Sequence, residues 1–568
     1  MKPMSPTIRH ALALGAALAL ALPFPAAAQS IAYGDPEGGD APPAGPSGAP
    51  RRHHGGYEPR MKITPYIEAE QVVSSQLSPG SDTVTYSTIA AGVDASIRGR
   101  NNEAAVSLRY ERRIGWGHKT ADADAITGIA RVAASVVPHT LKVEAGALAA
   151  RSRVDGGDGA VLGSLDVHNP VTKVYSAYAG PTLATHAGGV AIDGGYRIGY
   201  TKVKTPNAVA APGQAPVDVF DHSTVQNAEL HAGTRPHEAL PVGVGAGAGY
   251  YQEDISNLDQ RIRDFHARAD VTIPVAADIA LIGGIGYEDV QVSSRDAVRD
   301  SAGNPVIGND GRFVTNHGSP RQIAYQTSGL IWDAGVMWRP SRRTALEAHV
   351  GRRYGSTTYY GSFAYAPNRR SSLNISVYDS ISGFGGEVNN ALVALPTQFD
   401  ALRNPLTGDL TGCVASLAKG TCLAGALGSV RSATFRGRGV MASYGIELDR
   451  HLQAGIAGGY DRRKFIATPG TVLAIANGVV DQNYWVAGYL TDRLDRRSSI
   501  SANVYANWFQ SGFASGGDTT AIGATAAYNR WLSDHLSATA ALGIDGVNRE
   551  ALDEIWTASA LVGVRYSF

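Results

Sequence analysis

Along most of the chain, apolar and polar residues alternate one for one. In the last stretch Trp556, Ala558, Ala560, Val562, Val564, Tyr566 and Phe568 share one parity, and Thr557, Ser559, Leu561, Gly563, Arg565 and Ser567 the other. The rhythm recurs upstream. Ala104, Val106, Leu108, Tyr110, Ile114 and Trp116 oppose Glu103, Ser107, Arg109, Glu111 and Arg113. Ala267, Ala269, Val271, Ile273 and Val275 oppose His266, Arg268, Asp270 and Thr272. Leu346, Ala348 and Val350 oppose Glu347, His349 and Arg353, and Ile500, Ala502, Val504, Ala506 and Trp508 oppose Ser501, Asn503, Tyr505 and Asn507. A period of two marks strands with unlike faces. Sustained for roughly nine to fourteen residues, it exceeds the usual strand of a soluble sheet and suits a tilted membrane crossing.

The links between these stretches alternate in length, starting from a first strand near Ile63–Val73. Tight ones include VPHT at 137–140, VAAD at 275–278, RPSRRT at 339–344, LDRH at 448–451 and LSDH at 532–535. Long polar ones fall near 152–170, 203–222, 293–321, 380–432 and 467–481. Short turns at one end and long loops at the other predict an all-β fold: a single large transmembrane antiparallel up-and-down β-barrel over residues 61–568, with about 22 strands and bounds of 18 to 24. An even strand count places both termini in the periplasm and makes 293–321 and 380–432 the longest extracellular loops. Val564, Tyr566 and the terminal Phe568 resemble the signature read by the bacterial outer-membrane barrel-assembly machinery. Outer-membrane lipid and that machinery are therefore the expected partners.

Composition agrees. The chain has 67 Gly, 25 Tyr and 2 Cys, and a mean hydropathy of −0.11, which suits strands greased on one face and excludes a helical membrane protein. Lys2 and Arg9 precede the apolar run Ala11–Leu22, and Ala26-Ala27-Ala28 precedes Gln29. That pattern is a secretory signal peptide over 1–28, and no Cys follows to take a lipid anchor. Residues 29–60, dense in Pro and Gly, read as a disordered periplasmic linker. Within it Arg51-Arg52-His53-His54 is either a solvated stretch or a weak metal or partner patch. With 50 basic and 50 acidic residues, and Lys2 and Arg9 lost with the signal, the mature chain is slightly acidic, so no nucleic-acid partner is expected.

Chemistry-bearing motifs are few. Cys413 and Cys422 lie close together in the longest loop, and in an oxidising compartment they are expected to form a disulfide in a surface loop. Arg109, Glu111, Arg113, Arg268, Asp270, Glu347, His349, Arg353, Asp461, Arg463 and Arg565 fall on the polar parity as lumen-lining candidates. They either form a selectivity lining or pair with one another across strands. Gly243, Gly245, Gly247 and Gly249 either admit another backbone or relieve strand curvature. DGGDG at 155–159 and GNDGRF at 308–313 lack a calcium ladder and read as turns. There is no HExxH, GxSxG or P-loop, so no enzyme, metal or cofactor is expected. The short 29–60 stretch also argues against the energy-coupled importers of chelated metals, which carry a folded plug domain. A barrel of this size is too wide for its own strand side chains to fill. It is either open, as a diffusion channel or an exit, or closed by the 380–432 and 293–321 loops folding inward; alternatively it is a sealed structural or adhesive barrel working through its loops.

The run at 337–386, with MWRPSRRTALEAHVGRRYG and SVYDS, resembles outer-membrane barrels associated with PEP-CTERM/exosortase and exopolysaccharide loci. TPYIEAEQVV, AAGVDASIRGR and SLRYERRIGW are similar to sphingomonad barrels often labelled preprotein translocase subunit YajC. These motifs are structural and bring no catalytic residues with them. The resemblance implies association with surface polysaccharide or surface-protein export components.

Overall fold

The alternating stretches are strands, and the spanning ones run from 10 residues (Thr344–Arg353) to 20 (Gln322–Ser341). The computed structural model describes residues 60–568 apart from 118–121, 155–159, 163–170, 206–218, 239, 417–421, 450, 514–516 and 551–552. The signal peptide, nearly all of the linker with its Arg51–His54 patch, and the DGGDG turn lie outside the described residues.

The main sheet has 23 strands, one of which is the three-residue addition Ala160–Leu162 beside Leu141–Val154. The other 22 form a ring of antiparallel neighbours. The ring closes where the first strand, Arg60–Ser78, pairs with the last, Ile555–Ser567, from Tyr66 opposite Ser567 to Ser78 opposite Trp556. This is the transmembrane up-and-down barrel expected from the alternation, with the expected strand count. Both ends of the ring lie at the same rim, where the links are brief apart from 234–242: 138–140, 342–343, 369–370, 448–451 and 532–535 are examples. The long segments 155–170, 205–221, 295–321, 383–434 and 466–479 all leave from the opposite rim.

The parity rule holds around the wall. Leu108, Leu230, Ile285, Leu330, Val350 and Val504 point outward and stay exposed, and Leu542 and Val562 are 66% and 63% accessible. Such a surface is tolerable only against hydrocarbon. Trp116, Tyr359 and Tyr484 stand toward one end of this outer face, and Tyr365, Trp531, Tyr566 and Phe568 toward the end that carries the termini. Among the described residues no helix is long and apolar enough to cross a membrane. On the closing strand, Tyr566 stacks on His535 at 5.8 Å and meets Phe568 edge-on at 5.1 Å, while the Phe568 N–H donates to Pro65 O at 3.0 Å. Val564, Tyr566 and Phe568 therefore lie on the outer face at the seam.

Leu542→Arg places a charge mid-strand on the lipid face and should destabilise the barrel by about 2–4 kcal/mol. The check is urea unfolding in lipid vesicles, where a change under about 0.5 kcal/mol would remove Leu542 from the hydrocarbon zone.

Candidate functional site

The segment expected to project as the longest extracellular loop turns inward instead. The described residues of 383–434 occupy the lumen, the inward-folding arrangement that the width of the barrel left open. The reason is visible in its residues: Phe384, Val388, Leu392, Leu395, Leu410, Val414, Leu423, Leu427 and Val430 are too apolar for a solvated loop. They bury against Ile129, Leu148, Val174, Val203, Phe220 and Ile255 of the wall and its rim.

The segment begins with helix α1, Phe384–Ala394, whose N-terminal backbone donors need partners. Glu253, fully buried on the inner face of Gly243–Ile255, supplies them: it accepts the Gly383 N–H at 2.7 Å and the Gly386 N–H at 2.9 Å, and the Tyr251 hydroxyl at 2.8 Å. Glycine is required here because a Cβ on Gly385 would strike Ser223 Oγ, and one on Gly386 would strike Tyr251 Oη. At the far end of α1, Arg131 donates to the carbonyls of Leu392 (3.0 Å) and Val393.

A small hairpin follows, Asp400–Arg403 with Leu410–Ala415. Its Arg403 donates to Thr127 Oγ1 and Gly408 O, both at 2.8 Å, and to Ser107 Oγ at 3.1 Å. Leu406 enters a pocket of Val72, Tyr86, Ala527, Ala541 and Leu561, spanning the closure seam. Arg151 pairs with Asp409, bonds Thr407 O at 2.7 Å and holds Glu111 at 2.6 Å. Arg463 holds Glu387 of α1 at 2.8 Å and donates to Gly425 O at 3.1 Å and Ala426 O at 3.3 Å. One guanidinium thus ties both halves of the plug to the wall.

Cys413 and Cys422 are joined by a disulfide. It lies inside the barrel, against Ala457 and Trp485, and not in a surface loop. Beside it a small cleft remains between plug and wall, bordered by Asn374, Thr411, Ser443, Tyr489 and Asn503.

The other lumen-lining candidates fall as follows. Arg109 meets Glu68 at 2.8 Å, Glu70 at 3.0 Å and Glu111 at 3.6 Å. Arg113 lies over the Tyr86 ring at 4.4 Å, and Arg565 meets Asp94 at 2.9 Å and Glu68 at 3.3 Å. Asp461 takes hydrogen bonds from Tyr378 and, at 3.2 Å, from Trp485. On the arc away from the plug, Arg268 grips Asp333 through two bonds of 2.7 and 2.9 Å and lies 3.6 Å from Asp270. His349 sits between Asp333 at 2.8 Å and Glu347 at 3.1 Å, and Arg353 binds Asp264 at 2.8 Å. Along the glycine stripe, neighbours occupy the space a Cβ would take, the Thr234 carbonyl at Gly243 among them. The room at Gly245 is taken by His231 and Asp270, and at Gly249 by His266, side chains of neighbouring strands. GNDGRF is a turn closed by the Gly311 N–H on Gly308 O at 2.9 Å.

Arg131, Arg151 and Glu253 also stand on the inward face of their strands, a position legible from strand alternation. Glu387, Arg403 and Asp409 carried no periodic signal at all.

No family model matches the chain, and no curated protein matches it. Solved structures do. The FrpB iron transporter from Neisseria meningitidis (F3-3 variant) aligns over 89% of this chain and 81% of that one, at 10% identity and TM-score 0.41. The ferric-catecholate import receptor Fiu from E. coli K12, open form, aligns over 89% and 81% at 11% identity and TM-score 0.44. The siderophore receptor PiuA from Acinetobacter baumannii aligns over 88% and 82% at 8% identity and TM-score 0.38. At such identities no residue role or cargo carries over.

Removing Arg463 leaves Glu387 buried without its partner, so Arg463→Met should destabilise plug docking by about 3–5 kcal/mol. Adding Glu387→Gln should restore most of the loss, read as protection of 383–434 in hydrogen exchange; no restoration would separate the two residues.

Burial outweighs the Arg463 charge and raises the Glu387 carboxyl from its ordinary 4.5 to about 7. The docked state therefore keeps a proton that the released state loses first. Docking should be firmest in acid, weaken as pH rises from about 4.5 to about 7, and level off above. Proteolysis of 383–434 across that range checks this, and Glu387→Gln should flatten the profile.

Proposed function

We propose that this protein is a non-enzymatic outer-membrane transport barrel, closed at rest by its own 383–434 segment. Its termini face the periplasm, and its cargo is a surface polymer or exported protein. The observation that carries the reading is a ring of 22 strands whose lumen is occupied by one mid-chain segment. An anchor needs no such width, since about eight strands already make a barrel filled by its own side chains. A wide ring with a filler is what a conduit requires if it is not to leak.

The seam between plug and wall also supports it. Alongside its apolar clusters it is built from side chains such as Arg131, Arg151, Arg463 and Glu253 bonded to plug backbone or plug charges. Water can replace hydrogen bonds of this kind when the segment moves, whereas an all-apolar seam would offer it nothing. The cargo follows the resemblance of 337–386 to barrels of export loci. The rival reading is a sealed adhesive barrel that works through its rim loops.

In a planar bilayer the wild type should be quiet with brief openings. Replacing 386–432 by a short Gly/Ser link should give large, steady conductance. A Ser176→Cys, Asn389→Cys tether, at side chains now 3.4 Å apart, should abolish the brief openings. Steady full conductance from the wild type would overturn closure by the plug. A wild type that never opens, tethered or not, would favour the sealed barrel.

A further inference from the structure

Outward-facing charges gather near the rim opposite the termini, Arg112, Lys204 and Arg263 among them, and on one pair of adjacent strands they are all cations. On the adjacent strands Phe435–Glu447 and Leu452–Phe465, inward parity is set by Asp461 and Arg463, which face the plug. Arg436, Arg438, Arg462 and Lys464 have the opposite parity; Arg438, Arg462 and Lys464 face out, while the Arg436 side chain folds back over the buried Tyr354 ring at 5.2 Å. Arg436 stands directly across from Lys464, and Arg438 from Arg462. Arg352, exposed on Thr344–Arg353 and opposite Trp332 and Thr357, adds a fifth cation. Arg438 reaches toward it, donating to Thr357 O at 2.6 Å.

Asp379, fully buried, answers part of this charge: it accepts from Arg436 at 2.7 Å and from Arg438 at 3.1 Å. Among the described residues no ion pair reaches Arg352, Arg462 or Lys464. Like charges directly opposed across two strands destabilise a sheet, more so beside hydrocarbon than in water. Asp379 accounts for Arg436 and Arg438 but not for Arg462 and Lys464 opposite them, and because these two face away from the lumen they do not serve the plug.

Their height on the wall indicates what they meet. One step toward the barrel middle on the same face lies the row Tyr460, Tyr484 and Trp508, in direct cross-strand register. Tyr359 stands beside Arg438, 5.5 Å from guanidinium to ring. Aromatic rows of this kind mark the boundary between hydrocarbon and headgroups, so the cations just beyond them point sideways at headgroup level.

We propose that this patch binds the phosphate of a lipid headgroup in the leaflet at that rim. Arg438 and Arg462 supply planar forks matched to phosphate oxygens, Lys464 a compact charge, and Arg352 a flanking donor. The site is distinct from the lumen and holds whether or not the barrel conducts.

Protein in a neutral detergent is incubated with diphosphoryl lipid A or with the same lipid after phosphatase treatment, and retained lipid is counted by native mass spectrometry. The wild type should retain the phosphorylated form about tenfold better, and the Arg462→Gln, Lys464→Gln double variant should lose that preference. Arg352→Gln, at an exposed position that leaves the Asp379 contacts intact, should lower it in part and serves if the double variant fails to fold. Equal retention of the two lipids by the wild type, or undiminished preference in the variants, would overturn the site. Full displacement of the lipid by millimolar inorganic phosphate would show a free-anion site and overturn the lipid assignment.

Discussion

Every feature of this protein follows from the need to satisfy main-chain N–H and C=O groups where no water can reach them. In hydrocarbon each unpaired group costs several kcal/mol, and a sheet escapes that penalty only by closing on itself. The pairing of Arg60–Ser78 with Ile555–Ser567 is therefore the contact on which the rest depends. Closure fixes an inside and an outside for each residue of each strand. Lipid then selects the outward parity, and the inward parity is left free to be polar.

Closing so many strands creates a second problem, because the ring encloses more space than its inward side chains fill. The lumen and the 383–434 segment solve it jointly. A segment with one short helix and otherwise irregular chain, sent into an interior, carries backbone groups in need of partners. The inner wall has them: Glu253 for the start of α1, Arg131 for its end, Arg151 for the Thr407 turn and Arg463 for the Gly425 turn. The plug in turn buries the wall's apolar inward residues, as Leu406 does at the closure seam. Wall charges that the plug does not reach, around Asp333 and Asp264, are compensated by their own neighbours.

Much of the barrel was legible in the sequence because strand parity is local. Leu108 against Arg109, or Val564 against Arg565, declares a face without reference to any distant residue. Parity also brought Arg463 and Glu111 to notice, though not what they touch. Glu387 and Asp409 stayed hidden for a physical reason: they lie in irregular chain, where no period links a residue to a face. The disulfide was expected from compartment and spacing, yet its burial beside Trp485 depends on a fold-back that spacing cannot express. The outward Arg438 and Arg462 were equally invisible, since their significance lies in standing opposite each other across a strand pair.

The chain alone thus determined the all-β class, the strand number and the greasy and wet faces, because a two-residue period and alternating link lengths are properties of short sequence windows. Tertiary structure alone decided that the longest link enters the lumen, which charges anchor it and where cations crowd the outer rim. Those outcomes rest on contacts between residues of different strands and segments, whose burial and charge balance exist only once the ring has closed.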